Sequence, residues 1–241
     1  GSGLVGSEMC IRDRVIAVAD DPSMHSSQNE QDSRHYAKAS KIPMVEPSDS
    51  QECKEYIRFA YEMSEQFDTP VICRLVTRVA HSQSIVALEE RQEIPLKPYE
   101  KNIGKYVMMP GNAKRRHPEV EQRIADLKEY AETTPLNRIE MGGTKIGVIT
   151  SGMCYHYVKE AFGEEVSVLK LGMVYPLPTK MIQEFAAKVD KVYVVEELDP
   201  FIEEHCNNIG VKVTGKSLFP ICYEFSTKMI KELINGEKEE D

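Results

Sequence analysis

Val15-Ile-Ala-Val-Ala-Asp-Asp-Pro-Ser-Met-His-Ser-Ser-Gln-Asn-Glu-Gln-Asp-Ser-Arg34 joins an apolar run directly to a dense polar one. Residues 15–19 are apolar and partly β-branched, which predicts a short strand buried on both faces, and Asp20-Asp21-Pro22 stops its ladder. In open α/β sheets the carboxyl ends of such strands form the ligand crevice. The segment that follows carries an imidazole (His25), hydroxyls (Ser26, Ser27), amides (Gln28, Asn29), carboxylates (Glu30, Asp32) and a guanidinium (Arg34). That mixture suits a polar ligand held by many hydrogen bonds better than attack by one nucleophile. A plain solvated loop is the competing reading of the same residues.

Working outward, a helix is predicted over residues 32–40 and a short strand over 43–46. A second helix follows, capped at Ser48 or Ser50, with Cys53, Ile57, Ala60 and Tyr61 at helical spacing. Residues 70–78 read as another strand, and Ala80-His-Ser-Gln-Ser84 stands at its carboxyl end. Parallel βαβ connection of the two strands would put His81 and Ser82 on the same rim as His25 and Ser26.

Residues 89–141 change character. Pro95, Pro98 and Pro110 punctuate a charged stretch, and Lys114, Arg115 and Arg116 read as a solvated basic turn, with phosphate recognition as the alternative. A helix with a thin apolar stripe (Val120, Ile124, Leu127) is predicted over 119–132. A second α/β unit opens at Gly142-Gly-Thr-Lys-Ile-Gly-Val-Ile-Thr-Ser-Gly152. Its glycines miss the Gly-x-Gly-x-x-Gly spacing, which argues against a dinucleotide fingerprint. Strands at 145–150, 166–171, 191–196 and 211–214 alternate with helices at 153–162, 179–188, 200–207 and 226–234, implying a doubly wound, largely parallel sheet. Glu196 and Glu197 read as structural or interface carboxylates.

Residues 19–37 (Ala-Asp-Asp-Pro-Ser-Met-His-Ser-Ser-Gln-Asn-Glu-Gln-Asp-Ser-Arg-His-Tyr-Ala), 42–52 (Ile-Pro-Met-Val-Glu-Pro-Ser-Asp-Ser-Gln-Glu) and 67–71 (Phe-Asp-Thr-Pro-Val) resemble the alpha subunits of indolepyruvate:ferredoxin oxidoreductases. These are thiamine-diphosphate-dependent 2-oxoacid:ferredoxin oxidoreductases, and the likeness runs from about residue 15 to the C-terminus. The first motif is the specific one. Tyr175-Pro-Leu-Pro178 and Val194-Val-Glu-Glu197 are shared more loosely with other thiamine enzymes.

The resemblance implies an α/β chain made of a truncated pyrimidine-binding domain (15–88), a connector (89–141) and a transketolase C-terminal-like domain (142–241). It implies oxidative decarboxylation of arylpyruvates such as indolepyruvate to aryl-acetyl-CoA, with ferredoxin as electron acceptor and a beta subunit as partner. Thiamine diphosphate, magnesium and iron–sulfur clusters would serve the complete enzyme. Arg34, His25, Ser26 and Ser27 are then expected to bind substrate, with Arg34 pairing the oxoacid carboxylate through its guanidinium fork. Gln28, Asn29, Glu30 and His81 are expected at the cofactor.

The sequence also departs from the family. It has no Gly-Asp-Gly with a downstream Asn to hold a magnesium diphosphate, and its six cysteines (Cys10, Cys53, Cys73, Cys154, Cys206, Cys222) form no closely spaced ligand motif. The chain is therefore expected to be inactive alone and to bind none of these groups completely. Residues 1–14 read as a non-native leader, a cloning scar or translated adapter. A non-catalytic α/β assembly module, and a transketolase or 2-oxoacid dehydrogenase beta-type component, remain as alternatives.

Composition narrows the classes independently. The 241 residues carry a formal net charge of −9, which argues against nucleic-acid and anionic-membrane surfaces, and 41% hydrophobic residues suffice for real cores. The scattered thiols suit a reducing compartment, and no apolar run reaches the roughly 18 residues of a membrane helix, so a cytoplasmic protein is expected. A truncated first domain should leave a sheet edge open, predicting poor solubility or dimerisation.

Overall fold

β-Branched residues and alternating burial build two four-stranded sheets in the computed structural model, which describes residues 14–91 and 101–236. The first half supplies β1 (Val15–Asp20), α1 (Ser33–Ser40), β2 (Met44–Val45), α2 (Ser50–Phe67), β3 (Val71–Val76) and the single turn α3 (Thr77–His81). Next come α4 (Ile103–Tyr106), the long α5 (Pro110–Thr133) and β4 (Arg138–Glu140). The remainder is β5 (Ile146–Ser151), α6 (Cys154–Phe162), β6 (Ser167–Leu171), β7 (Met173–Tyr175), α7 (Thr179–Ala186), β8 (Lys191–Val195), α8 (Phe201–Asn208) and α9 (Thr227–Asn235).

In the first sheet the order is β1-β3-β2-β7, with β1 and β2 both parallel to β3. The register pairs Val15 with Val71 and Asp20 with Val76, so the two strands end together. β7 comes from the second half of the chain and closes this sheet antiparallel to β2. In the second sheet the order is β4-β6-β5-β8, parallel except for the antiparallel edge β4.

Side-chain alternation puts helices on both faces of the second sheet. Ile149, Leu169 and Val194 point toward α7 and α8, packing with Ile182, Phe185 and Ile202, while Val148, Val168, Tyr193 and Val195 point toward α6 and α9, packing with Val158, Phe162 and Ile230. This is the expected doubly wound α/β arrangement. The first of these cores also contains Ala37, Met44 and Ile72, so α1 and the first sheet share it. A third core gathers Tyr56, Ala60 and Met63 of α2, Leu127 and Ala131 of α5, and Met173 of β7.

Four expectations change. β1 is an edge strand with Ile16, Ala17 and Ala19 exposed, not a strand covered on both faces, because only β3 pairs with it and no described element lies over its outer side. The helix read at 119–132 starts nine residues earlier: Pro110 takes the first-turn position and the helix runs through Pro118, with Ile124, Leu127 and Ala131 as its buried stripe. The strand read at 211–214 shrinks to one parallel bridge, Tyr193 to Thr214, because Val211 still donates its N–H to Cys206 at the end of α8. β7 was not anticipated; three residues before a proline carry no legible period. The leader, apart from Arg14, and Pro95 and Pro98 of the connector lie outside the described residues. Among those described, no helix is long and apolar enough to cross a membrane.

Candidate functional site

The carboxyl ends of β1 and β3 meet the second sheet over a floor of buried charge. Arg74, in the middle of β3, donates from Nε to Asp20 Oδ2 at 2.6 Å and from Nη1 to Glu46. Glu46 in turn accepts from the Ser151 hydroxyl at the end of β5, 3.0 Å away. Gly152 follows in the left-handed region (φ +52°) directly against the Glu46 side chain, where a Cβ would collide. The Ser-Gly turn that could have faced an outside anion is thus set against an internal carboxylate.

Arg34 completes the floor. Asp32 caps α1 by accepting from the Arg34 N–H, and its carboxylate also takes Arg34 Nε at 2.9 Å and Nη2 at 2.6 Å. Nη1 reaches Glu196, and Nη2 also donates to the Glu197 and Asp199 carbonyls, each at 3.0 Å. Glu196 itself accepts the Ile202 and Glu203 N–H groups at the start of α8. Burial raises the pKa of the Asp32 carboxyl, but the Arg34 charge and its hydrogen bonds outweigh that and hold it near about 2. Burial pushes Glu196 up, against the pull of Arg34.

Arg34, which the resemblance pairs with the oxoacid carboxylate, is engaged within the chain here. The Arg34 side chain is 1% exposed and ties α1 to the second sheet, so an incoming carboxylate would have to displace Asp32 or Glu196. The reading of Glu196 as a structural carboxylate matches its position here.

Above the floor lies the rim. Asp21, just past β1, accepts from the Ser26 and Ser27 N–H groups at 2.8 and 2.9 Å and from the Thr77 hydroxyl at 2.6 Å. Those hydrogen bonds, Thr77 first, hold its carboxyl well below the usual range and weld the 25–27 loop to the end of β3. His25, Ser26, Thr77, Arg78, His81, Ser82 and Met153 line one open cavity of about 610 Å³. His25, Ser26, His81 and Ser82 therefore do share a rim, as the parallel register requires.

The other sequence-selected residues lie apart from that cavity's lining. Ser27, Gln28 and Asn29 are exposed, and Glu30 accepts the Ser23 and Tyr223 N–H groups, fastening two loops to each other. Glu30 also borders a smaller cleft of about 220 Å³ with Asp32, Leu198, Asp199, Ile221 and Cys222. Sequence reasoning missed Asp20, Asp21, Glu46, Arg74, Arg78 and Glu224. For Arg74 a signal existed, a charge inside an otherwise apolar strand.

The donor chemistry can be set against the groups the family uses. The large cavity offers imidazoles, a guanidinium and hydroxyls, which suit an anion and not a magnesium ion. Among the described residues, Asp32, His35 and Asp199 form the one acidic and imidazole group with ligand atoms within 4.8 Å of one another, and Asp32 is committed to Arg34. No cysteine belongs to it. Cys53, Cys73, Cys154, Cys206 and Cys222 sit on separate elements, most of them buried, so the described residues do not fit an iron–sulfur cluster.

Glu197 yields a prediction. It is buried beside the rim with its carboxylate accepting the Phe225 N–H, and desolvation raises its pKa from 4.5 to about 7. A raised carboxyl favours folding below pH 4.5, and the cost of ionising it grows as pH rises toward 7. Glu197→Gln keeps an acceptor for Phe225 and removes that cost. Urea unfolding should show the variant more stable by up to about 3 kcal/mol at pH 8, with the gain fading by pH 4.5. A difference that does not vary with pH would refute this.

No protein-family model matches the chain. It is 37% identical to "Indolepyruvate oxidoreductase subunit IorA" of Archaeoglobus fulgidus over 225 residues, covering 90% of this chain and 36% of that protein. The subunits of the same name from Methanothermobacter marburgensis and Pyrococcus horikoshii are each 39% identical, over 92% and 91% of the chain and 38% and 37% of their own lengths. The chain is a relative of the indolepyruvate oxidoreductase subunits. It spans a little over a third of these relatives' length, and the resemblance carried by residues 19–37 is borne out.

Solved structures agree on the fold. A 2-oxoglutarate:ferredoxin oxidoreductase from Magnetococcus marinus superposes with a TM-score of 0.61 at 17% identity, covering 89% of this chain and 44% of that one. A split-gene transketolase gives 0.55 at 13% identity, covering 92% and 65%.

Proposed function

We propose that this chain is the portion of an indolepyruvate:ferredoxin oxidoreductase alpha subunit that presents the 2-oxoacid with its polar rim. The similarity at 37–39% identity over nine-tenths of the chain carries the reading. In it, residues 15–88 belong to the pyrimidine-binding domain, 89–141 connect, and 142–241 form the transketolase C-terminal-like domain. Thiamine diphosphate with magnesium would supply the decarboxylation chemistry from the rest of the complete enzyme, and iron–sulfur clusters would pass electrons to ferredoxin. Arylpyruvate and coenzyme A are the substrates, a beta subunit is the partner, and the setting is cytoplasmic.

The chain's own residues bind and orient. His25, Ser26, His81 and Ser82 offer hydrogen bonds to a polar ligand at the rim, and Asp21 fixes the loop that carries two of them. The charged floor holds α1 and the second sheet at fixed spacing beneath the rim.

The test uses the complete oxidoreductase containing this segment, assayed for coenzyme-A-dependent reduction of ferredoxin. Indolepyruvate and phenylpyruvate should be turned over well and 2-oxoglutarate poorly, and the isolated chain should give no turnover. His81→Ala should lower kcat/KM for indolepyruvate by about tenfold or more, the worth of one hydrogen bond to a charged group. An enzyme that prefers 2-oxoglutarate, or reduces no ferredoxin with any arylpyruvate, would overturn the assignment.

A further inference from the structure

Among the described residues Arg78 is the one guanidinium lining the large cavity, and a carboxylate of the chain itself holds it. Glu224, in the irregular segment before α9, accepts from Arg78 Nε at 2.7 Å and from Nη2 with its other oxygen. His25 Nε2 lies 3.2 Å from the same carboxylate. A two-pronged guanidinium and an imidazole closing on one carboxylate is the arrangement by which proteins bind small anions. The carboxylate arrives from the second half of the chain, while the imidazole and the guanidinium follow the ends of β1 and β3.

We propose that Arg78 is an anion-binding residue of the rim and that Glu224 is an internal stand-in for the ligand, occupying the guanidinium until a small carboxylate or phosphate compound displaces it. Three observations support the exchange. The Arg78 side chain is 56% exposed, so a ligand can reach it, unlike the sealed Arg34. The pair lies at the surface with Glu224 20% exposed, so its net contribution to stability is modest and a competing anion can open it. His81 stands at the same cavity with its imidazole and Ser26 with a hydroxyl held by Asp21 only at 3.5 Å, for the rest of an anionic molecule, whereas the Thr77 and Ser82 hydroxyls already donate to Asp21 and to the Val79 carbonyl.

The identification of that anion as a 2-oxoacid rests on the proposed function, whereas the anion site itself does not. The oxoacid carboxylate and the phosphates of coenzyme A or of a diphosphate share the required chemistry.

Isothermal titration of the 241-residue chain separates the cases, with phenylpyruvate and inorganic phosphate as probes. Glu224→Ala should tighten binding of at least one probe by about tenfold or more, as expected when a charge-assisted hydrogen bond is freed from competition. Arg78→Met in either background should abolish the binding, while far-ultraviolet circular dichroism stays unchanged because both side chains are near the surface. Tighter phenylpyruvate binding supports the site and its oxoacid ligand. Tighter phosphate binding alone supports the site and assigns it to a phosphate compound, against the oxoacid reading of the rim. If Glu224→Ala tightens neither probe, or if binding survives Arg78→Met, the proposal is overturned whatever the complete enzyme is found to oxidise.

Discussion

Replacing Arg34 by methionine should destabilise the folded chain by about 3–5 kcal/mol, the cost of leaving buried carboxylates without their cation. The arginine is fully enclosed and its partners Asp32 and Glu196 are equally sealed. Methionine fills much of the volume but none of the hydrogen bonds, so Asp32 and the carbonyls of Glu197 and Asp199 would lose donors as well. The size of the loss should depend on pH. Burial already pushes Glu196 up, and without Arg34 it would rise further, so acidification neutralises it and relieves the variant. Urea unfolding should therefore show the largest deficit near pH 8 and a smaller one near pH 5. Adding Glu196→Gln to Arg34→Met should recover part of the loss. A single variant within about 1 kcal/mol of the parent would mean that the tie between α1 and the second sheet is not structural.

The parts of this architecture that obey a local rule could be read from the chain. Asp20-Asp21-Pro22 ends a β-branched run, and β1 does end at Asp20. Two such strands joined through helices had to run parallel, so His25, Ser26, His81 and Ser82 had to arrive at one rim, as they do. The enclosure of Arg34 was not legible, because its partners Glu196, Glu197 and Asp199 lie more than 160 residues away and no spacing rule reaches that far. Arg74 and Lys170 are different. Arg74 interrupts an otherwise apolar strand and Lys170 one whose other polar residue is Ser167, and a charge buried in such a place must meet an opposite one, so the charged layer between the two halves left a trace at both positions. β7 left none, since its three residues form a sheet only because β2 offers an edge to them. β1 was legible as a strand but not in its surroundings: an apolar run records a preference for burial, whereas covering depends on which elements pack over it.

Lys170 offers the second large test, because its side chain is 0% exposed near the end of β6. Its Nζ donates to the Ser48 hydroxyl at 2.7 Å and to Glu52 in the first turn of α2, and lies 4.4 Å from the centre of the Tyr155 ring. The pair spans the two halves of the fold. Burial works against both charges, pulling the Lys170 pKa down and pressing that of Glu52 up; for Glu52 the ammonium wins and holds the carboxyl near about 2, below its ordinary 4.5. A depressed carboxyl contributes stability above pH 4.5 that is lost as pH falls toward 2, here about 3 kcal/mol for a shift of that size. Lys170→Met should remove about that much at pH 7, near the lower end for a broken buried pair because Arg138 still reaches Glu52 at 3.1 Å. The variant should also lose part of the parent's stability change between pH 4.5 and 2, since only the Ser48 N–H and hydroxyl and Arg138 then favour the ionised Glu52. Glu52→Gln on top of Lys170→Met takes away the stranded carboxylate while keeping an acceptor for the Ser48 N–H and hydroxyl. The double variant should therefore be more stable than the sum of the two single losses implies, by roughly 1–3 kcal/mol of coupling. Strictly additive losses would show that the two residues do not act as a pair, and the charged contact between α2 and β6 would then have to be discarded as a source of stability.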